Sequence, residues 1–239
     1  MSEPELAPET WAFHLLGLIT PFLAISGNIL GVMEDQIFVA MGVVFVWGVG
    51  PILDIVMGES DVARPPRDSG TPFEVLLWVH GLLQLVVVGS FFWFAANEGL
   101  TIWLVVGGLS SGLSAATSAT VTAHELGHKK RGSPGWRLAR VILFTVNYTH
   151  FTYEHNHVHH KWVSTDKDSA SATANQGLWS FWLSTIPGQF ASSTRVQNKR
   201  RRRGGQRKTC SVRGNEGERA SERESERERE RERRERVRE

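Results

Sequence analysis

Four long apolar segments fill the first half of the sequence and restrict what the chain can fold into. They are Trp11–Val32, Gln36–Gly58, Phe73–Ala95 and Thr101–Thr122. Because an α-helix rises ~1.5 Å per residue, each segment is long enough to cross a hydrocarbon core of ~30 Å. Soluble proteins seldom bury so many helices of this kind in so short a chain. The sequence therefore predicts an all-α membrane protein with about four transmembrane helices and further short helices after them.

The positions of the basic residues predict the orientation in the membrane. With four spans, the N-terminus, the 59–72 loop and everything after Thr122 lie on one side. All basic residues before position 195 fall on that side: Arg64, Arg67, Lys129, Lys130, Arg131, Arg137, Arg140, Lys161 and Lys167. Cytoplasmic loops carry an excess of Lys and Arg, so this side is predicted to be cytoplasmic. We expect a multi-pass protein integral to a lipid bilayer, with its N-terminus inside the cell.

The C-terminal segment has a different composition. Arg195–Glu239 contains 18 Lys and Arg and 10 Asp and Glu, whereas residues 1–194 contain 9 and 15. Such a run cannot bury a core, so we predict a membrane region, 1–194, and a low-complexity tail, 195–239, that is disordered or a charged helix. A basic run suits lipid headgroups or nucleic acid, but Arg–Glu alternation is also what a translated AG repeat encodes. We favour the repeat and expect no nucleic-acid partner. The single cysteine, Cys210, lies in this tail and forms no disulfide framework.

The first candidate metal ligands follow the fourth apolar segment directly. His124 and His128 are four residues apart, so on a helix they project from one face and can hold one metal ion. Glu125 lies between them, and this pattern is also typical of zinc proteases that use the glutamate as general base. An intramembrane zinc protease is therefore one alternative.

A second histidine cluster follows at His155–His160. On a helix His155 and His159 share a face, His160 lies ~100° round from His159, and His157 points away from His155. We interpret His155, His159 and His160 as metal ligands. Together with the first pair, five imidazoles exceed the need of one tetrahedral zinc. A nitrogen-rich site with more than four ligands suits iron, and two clusters suggest two ions.

Other polar residues near these clusters are candidates for contacts with the ligands rather than with the metal. They are Glu125, Glu154, His150 and His157. His14 and His80 lie within apolar segments and are interpreted as hydrogen-bonded packing residues. Asp54, in the second segment, is assigned no catalytic role. No catalytic residue is assigned beyond the metal ligands.

From about Pro51 to Phe190 the sequence resembles the membrane alkane 1-monooxygenases of the fatty-acid desaturase and hydroxylase superfamily. The matching stretches are Gly50–Asp54, His124–Lys130, His150–His160, Val163–Ala170 and Ile186–Gly188. Val158 stands where the family usually has glycine, and Ser169 where it has proline. The resemblance implies a non-haem di-iron enzyme that inserts one atom of O2 at the terminal carbon of an alkane or fatty chain. It also implies a rubredoxin-type electron carrier as partner.

The resemblance further implies histidine boxes beyond the two already described, and no histidine follows His160 in this sequence. Since five imidazoles do not complete two iron sites, we expect the chain as written to bind metal weakly and to lack hydroxylase activity. A desaturase or a xylene-type hydroxylase, the zinc protease and an inactive truncated product remain the alternatives.

Overall fold

The computed structural model describes residues 11–58 and 69–203. Arg64, Arg67, Cys210 and the tail from residue 204 onwards lie outside the described residues. Seven helical elements are named here: α1 (Trp11–Met33), α2 (Gln36–Met57), α3 (Thr71–Glu98), α4 (Ile102–Gly127), α5 (Pro134–Thr145), α6 (the consecutive turns Phe151–Glu154, His155–His159 and His160–Trp162) and α7 (178–203). The described parts of the chain contain no strand.

Two structural units divide the chain, Met1–Thr152 and Tyr153–Glu239. The first contains α1 to α5. The second contains most of α6 and all of α7, so the described part of the predicted tail, 195–203, is helical and continues α7. The boundary that we predict at residue 195 stays a prediction.

Helices α1 to α4 are long and apolar enough to cross a membrane. They confirm the four predicted spans, and the prediction of an all-α membrane protein is correct. The main difference is at the end of α4, which continues from Thr122 to Gly127. Hydropathy marks the apolar part of a helix, but the backbone hydrogen bonds carry the helix on into its polar end. His124 therefore belongs to the last turns of a membrane helix.

Buried polar side chains join α1, α3 and α4. Asn28 is 1% exposed, and its amide donates to Ser90 Oγ at 3.0 Å and to Ser111 Oγ at 3.3 Å. Thr20 and Thr117 hydroxyls are 3.1 Å apart in the same bundle. Such interhelical hydrogen bonds contribute ~0.6 kcal/mol each on average in a membrane, and they fix which helix faces meet.

Small residues allow close contact between α2 and α4. The backbone N–H of Gly42 donates to Ser110 Oγ at 3.0 Å, so a side chain on Gly42 would collide with Ser110. Gly107 lies against Val39 and Phe94. Short side chains at these positions bring the two backbones together, which dispersion contacts then stabilise.

Gly27 provides a test of this packing. A Cβ atom at Gly27 would lie 2.7 Å from the carbonyl oxygen of Phe38, a backbone atom that cannot move aside cheaply. We expect Gly27→Ala to destabilise the protein by about 1–3 kcal/mol through overpacking. Gly48→Ala is the matched control, because nothing lies within 4 Å of its added Cβ. Thermal unfolding of the two purified variants in detergent measures the difference. Equal melting temperatures would show that α1 and the start of α2 are not in contact at Gly27.

A compact apolar cluster fixes the end of α4 against α5. Ala123 and Leu126 of α4 pack with Leu138, Ile142 and Leu143 of α5. All of these except Leu138 are 0% exposed. Because Ala123 and Leu126 face α5, the rotation of the last turns of α4 about the helix axis is fixed. The directions in which His124 and His128 project are fixed with it.

Three turns in the helices have hydrogen bonds from residue i+5 to residue i, the π-helical pattern. They are Phe45–Val49, Ala115–Ala119 and His155–His159. Such turns are rare, occur mostly as single bulges in α-helices and are frequent at functional sites. One precedes His124 by one helical turn, and another contains two of the predicted ligands.

Candidate metal centre

The first histidine pair lies at the C-terminal end of α4, which we predict to be on the cytoplasmic side of the membrane. His124 and His128 rings have centroids 5.1 Å apart in an edge-to-face arrangement. His124 is half-buried and His128 is exposed. The ring of Phe151 lies 6.0 Å from that of His124. The α4 helix therefore brings its two predicted ligands together on one face, with an aromatic ring beside them.

In the second unit, the π-helical turn gathers three histidines. The ring of His155 lies 5.3 Å from that of His159, nearly parallel to it, and 4.4 Å from that of His160. The N–H of His160 donates to the carbonyl of His155, which is an i+5 to i bond. Because the wider turn completes itself after five residues, His160 rotates towards His155. An α-helix would have placed it ~140° away.

The two ring nitrogens that meet are the Nε2 atoms. His155 Nε2 and His160 Nε2 are 3.0 Å apart, so the two imidazoles point their nitrogens at a common position. His155 is 7% exposed, whereas His160 is exposed. This is the closest approach of ring nitrogens described within the second unit.

Asp168 holds the third histidine. His159 Nδ1 lies 2.8 Å from Asp168 Oδ2, which also accepts from Ser171 Oγ at 2.6 Å, while Oδ1 accepts from the N–H of Ala170 at 3.0 Å. Asp168 is 2% exposed. Burial acts to raise the pKa of Asp168, but the hydrogen bonds from Ser171, Ala170 and His159 together lower it. Asp168 is thus a carboxylate that accepts the Nδ1 proton of His159, and Nε2 is the ring nitrogen of His159 that does not contact Asp168.

Glu154 lies next to His155 in the interior of the second unit. It is 1% exposed, accepts a hydrogen bond from Ser192 of α7, and its Oε1 has no hydrogen-bond partner among the described residues. Burial raises the pKa of Glu154 and the negative charge of Asp168 raises it further, whereas His159 and Ser192 act in the opposite direction. A buried carboxyl oxygen without a partner is costly unless a donor or a cation completes the site.

Three further residues that we predict as neighbours of the metal ligands are His150, His157 and Glu125. His150 lies edge-to-face with Tyr148 at 4.7 Å, and burial lowers the pKa of the His150 ring. The His157 ring is 6.4 Å from Tyr153 and outside the closest ring contacts of the His155 turn. Glu125 is exposed on α4. Their roles as neighbours of the ligands stay predictions.

The histidines within the membrane spans have the packing character that the sequence suggests. His80 is 9% exposed; its Nδ1 lies 2.6 Å from Ser118 Oγ, and the ring also hydrogen-bonds to the backbone of His14. His80 therefore joins α1, α3 and α4. The His14 ring contacts Phe73 edge-on at 5.1 Å. Asp54 is exposed.

Comparison with known proteins identifies a matching family model and several similar enzymes. The fatty acid desaturase family model matches residues 100–213, a range that contains both histidine boxes and Asp168. The chain is 32% identical over 172 residues to an alkane 1-monooxygenase of Ectopseudomonas oleovorans. The alignment covers 69% of this chain and 42% of the relative. It is 30% identical over 213 residues to an alkane 1-monooxygenase of Pseudomonas putida, with 86% and 52% covered.

The chain contains a fatty acid desaturase domain at residues 100–213.

A third relative is also named an alkane 1-monooxygenase. Alkane 1-monooxygenase 1 of Alcanivorax borkumensis is 26% identical over 201 residues, with 80% of this chain and 48% of the relative covered. The resemblance to alkane 1-monooxygenases read from the sequence is confirmed. The chain spans about half the length of the relatives that it matches.

The donor set of the chain fits a metal ion. The 3.0 Å between His155 Nε2 and His160 Nε2 is a hydrogen-bond distance between the two rings. Two imidazole nitrogens bound to one ion at ~2.1 Å lie ~3.0 to ~3.4 Å apart, so these two nitrogens are close enough to bind one ion. The unpartnered Oε1 of Glu154 is a second indication that a cation completes this region.

Sequence reasoning missed Asp168. It lies nine residues after His159, outside both histidine boxes, in a stretch where Asp166 is also acidic. A metal-bound histidine usually donates its other ring nitrogen to a carboxylate, so an acidic residue after the second box was the available signal. Spacing alone does not distinguish Asp166 from Asp168, because no helix connects either of them to His159.

Proposed function

We propose that this chain supplies membrane helices and histidine ligands of a non-haem di-iron monooxygenase that hydroxylates the terminal carbon of alkanes or fatty chains. The observation that carries the proposal is the pair of converging ring nitrogens, His155 Nε2 and His160 Nε2, within a region that matches the desaturase family. The relatives are named alkane 1-monooxygenases, and we propose the same activity here on the basis of that similarity.

The proposed ligands are His124 and His128 at the end of α4 and His155, His159 and His160 in α6. The first pair shares a helix face, and the second group shares a π-helical turn. The two groups belong to different structural units, so their convergence on two iron ions is part of the proposal. Five imidazoles provide part of the ligands that two such ions need.

Iron bound here would supply the oxidant that inserts one atom of O2 into a terminal C–H bond, the other atom leaving as water with two protons and two electrons from a carrier. The residues of the chain orient and hold the proposed metal ligands. Asp168 keeps the Nδ1 proton on His159 and so directs Nε2 outwards. Burial of Glu154 and His155 keeps water away from the ligands.

An apolar chain has space within the first unit. Helices α1, α3 and α4 surround a cavity of about 590 Å³. Its wall is mostly apolar, with Phe13, Phe73 and Leu76, and it reaches Glu125, the neighbour of His124. A volume of this size is typical of small-molecule sites, ~300–1,000 Å³. We propose that the substrate, which partitions into the bilayer, lies here with one end towards the histidines.

We further propose that the metal centre lies on the cytoplasmic side and receives electrons from a rubredoxin-type carrier. The support is the distribution of Lys and Arg, which fall on the side of the histidine boxes. The exposure of His128 and His160 offers an approach for a small electron carrier.

A chimera tests this function. Residues 11–194 replace the matched segment of the Pseudomonas putida alkane 1-monooxygenase, which then supplies its own remaining part. We expect membranes with the chimera, a reductase and a rubredoxin to convert octane to 1-octanol. The same chimera with His155→Ala should form no product, because one proposed ligand is gone.

Product identity separates the alternatives. The family model is described by desaturation, so an unsaturated product from a fatty substrate would favour a desaturase over a hydroxylase. A chimera that inserts into the membrane and carries iron, yet forms neither an alcohol nor an alkene, would refute the proposed function. Zinc in place of iron in the purified protein would favour the protease alternative.

A further inference from the structure

Helix α7 exposes a set of large apolar side chains that its own unit leaves uncovered. Their exposed fractions range from 47% to 79%. The five residues are Trp179, Trp182, Leu183, Ile186 and Phe190. Scattered exposed apolar residues are common on proteins, but five within twelve positions of one helix form a contiguous patch that needs a partner.

The patch has the periodicity of one helix face. At 100° per residue the five side chains fall within an arc of ~100°. The rings of Trp179 and Trp182 contact each other edge-to-face at 5.2 Å. We call this face the apolar stripe of α7.

The other face of α7 is already occupied. Thr185 is 6% exposed, and Phe181 and Ser192 on the same side are half-buried. Ser192 hydrogen-bonds to the buried Glu154, and Gly188 lies against Ser169 so closely that a Cβ would be 2.7 Å from the Ser169 Cβ. The contacts on this side fix the rotation of the helix. The apolar stripe therefore faces away from its own unit.

The end of α7 is strongly basic. Exposed cations occupy its last turns: Arg195, Lys199, Arg200, Arg201, Arg202 and Arg203. Arg200 and Arg201 continue the side of the helix that carries the apolar stripe, since they lie ~300° and ~40° round from Trp179. The same side thus passes from aromatic and aliphatic residues to guanidinium groups along the helix.

This combination distinguishes α7 from the spanning helices. Helix α7 is not among the four helices apolar enough to cross a membrane, because charge interrupts its second half. A helix with one face of Trp, Phe and Leu and an abundance of Arg and Lys lies in the plane of the membrane surface. Tryptophan is enriched at this depth, and each basic residue near an anionic surface contributes ~1 kcal/mol of attraction.

We propose that α7 lies along the cytoplasmic surface of the bilayer, with the apolar stripe in the boundary between headgroups and acyl chains and Arg200 and Arg201 on anionic lipid phosphates. The partner is the lipid surface, which complements both the apolar and the cationic part of the same side. The inference concerns attachment of the second unit to the membrane, and it holds whether or not the protein hydroxylates alkanes.

Site-directed labelling of the whole chain tests this placement. The single cysteine is first removed by Cys210→Ser. An environment-sensitive fluorophore is then attached through Leu183→Cys, in the stripe, or through Ser184→Cys, an exposed position ~100° round the helix. Both proteins are reconstituted in vesicles of phosphatidylcholine with phosphatidylglycerol. We expect nitroxide-labelled acyl chains to quench the label at position 183 several-fold more than the label at 184. A water-soluble nickel chelate should give the opposite order.

Two results would overturn the proposal. Equal quenching at both positions would mean that α7 does not present the stripe to lipid. A label at 183 that neither quencher reaches would mean that protein, such as a second copy of the chain, covers the stripe.

The cationic part is tested by Arg200→Glu together with Arg201→Glu. In vesicles with phosphatidylglycerol this change should reduce lipid quenching at position 183 several-fold, whereas in phosphatidylcholine alone it should have little effect. An unchanged signal in the anionic vesicles would refute the contact with lipid phosphates. Co-flotation of each variant with the vesicles, together with its far-ultraviolet circular dichroism, verifies that the variant is inserted and folded.

Discussion

Replacing His155 with alanine in the chimera that carries residues 11–194 is expected to weaken its binding of iron(II) at least 100-fold, a loss of about 2.7 kcal/mol of binding free energy. The physical reason is that His155 Nε2 meets His160 Nε2 at 3.0 Å, so its removal deletes one of two converging donors. It also opens a position that is 7% exposed to water. Anaerobic calorimetric titration of the purified chimera in lipid nanodiscs measures the affinity.

His157→Ala is the matched control for this prediction. His157 lies in the same π-helical turn, and its ring contact is with Tyr153. Loss of this side chain should change the iron affinity less than about threefold. If His155→Ala and His157→Ala weaken binding equally, the turn does not distinguish the two histidines, and the ligand assignment fails.

Asp168→Ala is expected to lower the iron affinity about 10- to 100-fold, the usual effect of removing a carboxylate that orients a ligating histidine. Without Asp168, His159 loses the acceptor at 2.8 Å that keeps the proton on Nδ1, and Ser171 and the Ala170 N–H lose theirs. Asp168→Asn should have a smaller effect, because the amide oxygen still accepts a hydrogen bond. The same titration gives the affinities.

The control for Asp168 is its exposed neighbour Asp166. Asp166→Ala removes the same charge from the same segment, but the side chain is exposed to solvent. Its affinity should stay within about twofold of the unaltered chain. A large effect of Asp166→Ala would indicate that net charge near the site, rather than the hydrogen bond to His159, determines binding.

Much of the fold follows from the sequence because the membrane imposes it. A bilayer satisfies no backbone hydrogen bonds, so four apolar segments of sufficient length must become helices. The predicted start of the second span at Gln36 agrees with the structure. The end of α4 was placed five residues early, since Ala123–Gly127 is less apolar, although Ala123 and Leu126 are fully buried against α5.

The candidate histidine ligands are also predictable from residue types at fixed spacings. A spacing of four predicts a shared helix face for His124 and His128, and their rings do lie together. The spacing of His155 and His159 gave the same prediction, and these rings stack. The position of His160 was less accurate, because an α-helical rotation was assumed for a turn that is π-helical.

The sequence by itself therefore determined which segments are apolar and long enough to cross the membrane and which side chains are the candidate metal ligands, since both depend on residue type and short spacing. Only the tertiary structure decided how those side chains are aimed. The i+5 hydrogen bond of His160 turns its ring towards His155, Asp168 reaches back across a loop to His159, and Glu154 meets Ser192 of α7. Glu154 and Ser192 are distant along the chain, so residue spacing does not predict their contact. The other two contacts are local, but they depend on a π-helical turn and on the course of a loop, which hydrogen bonding and packing decide rather than residue type.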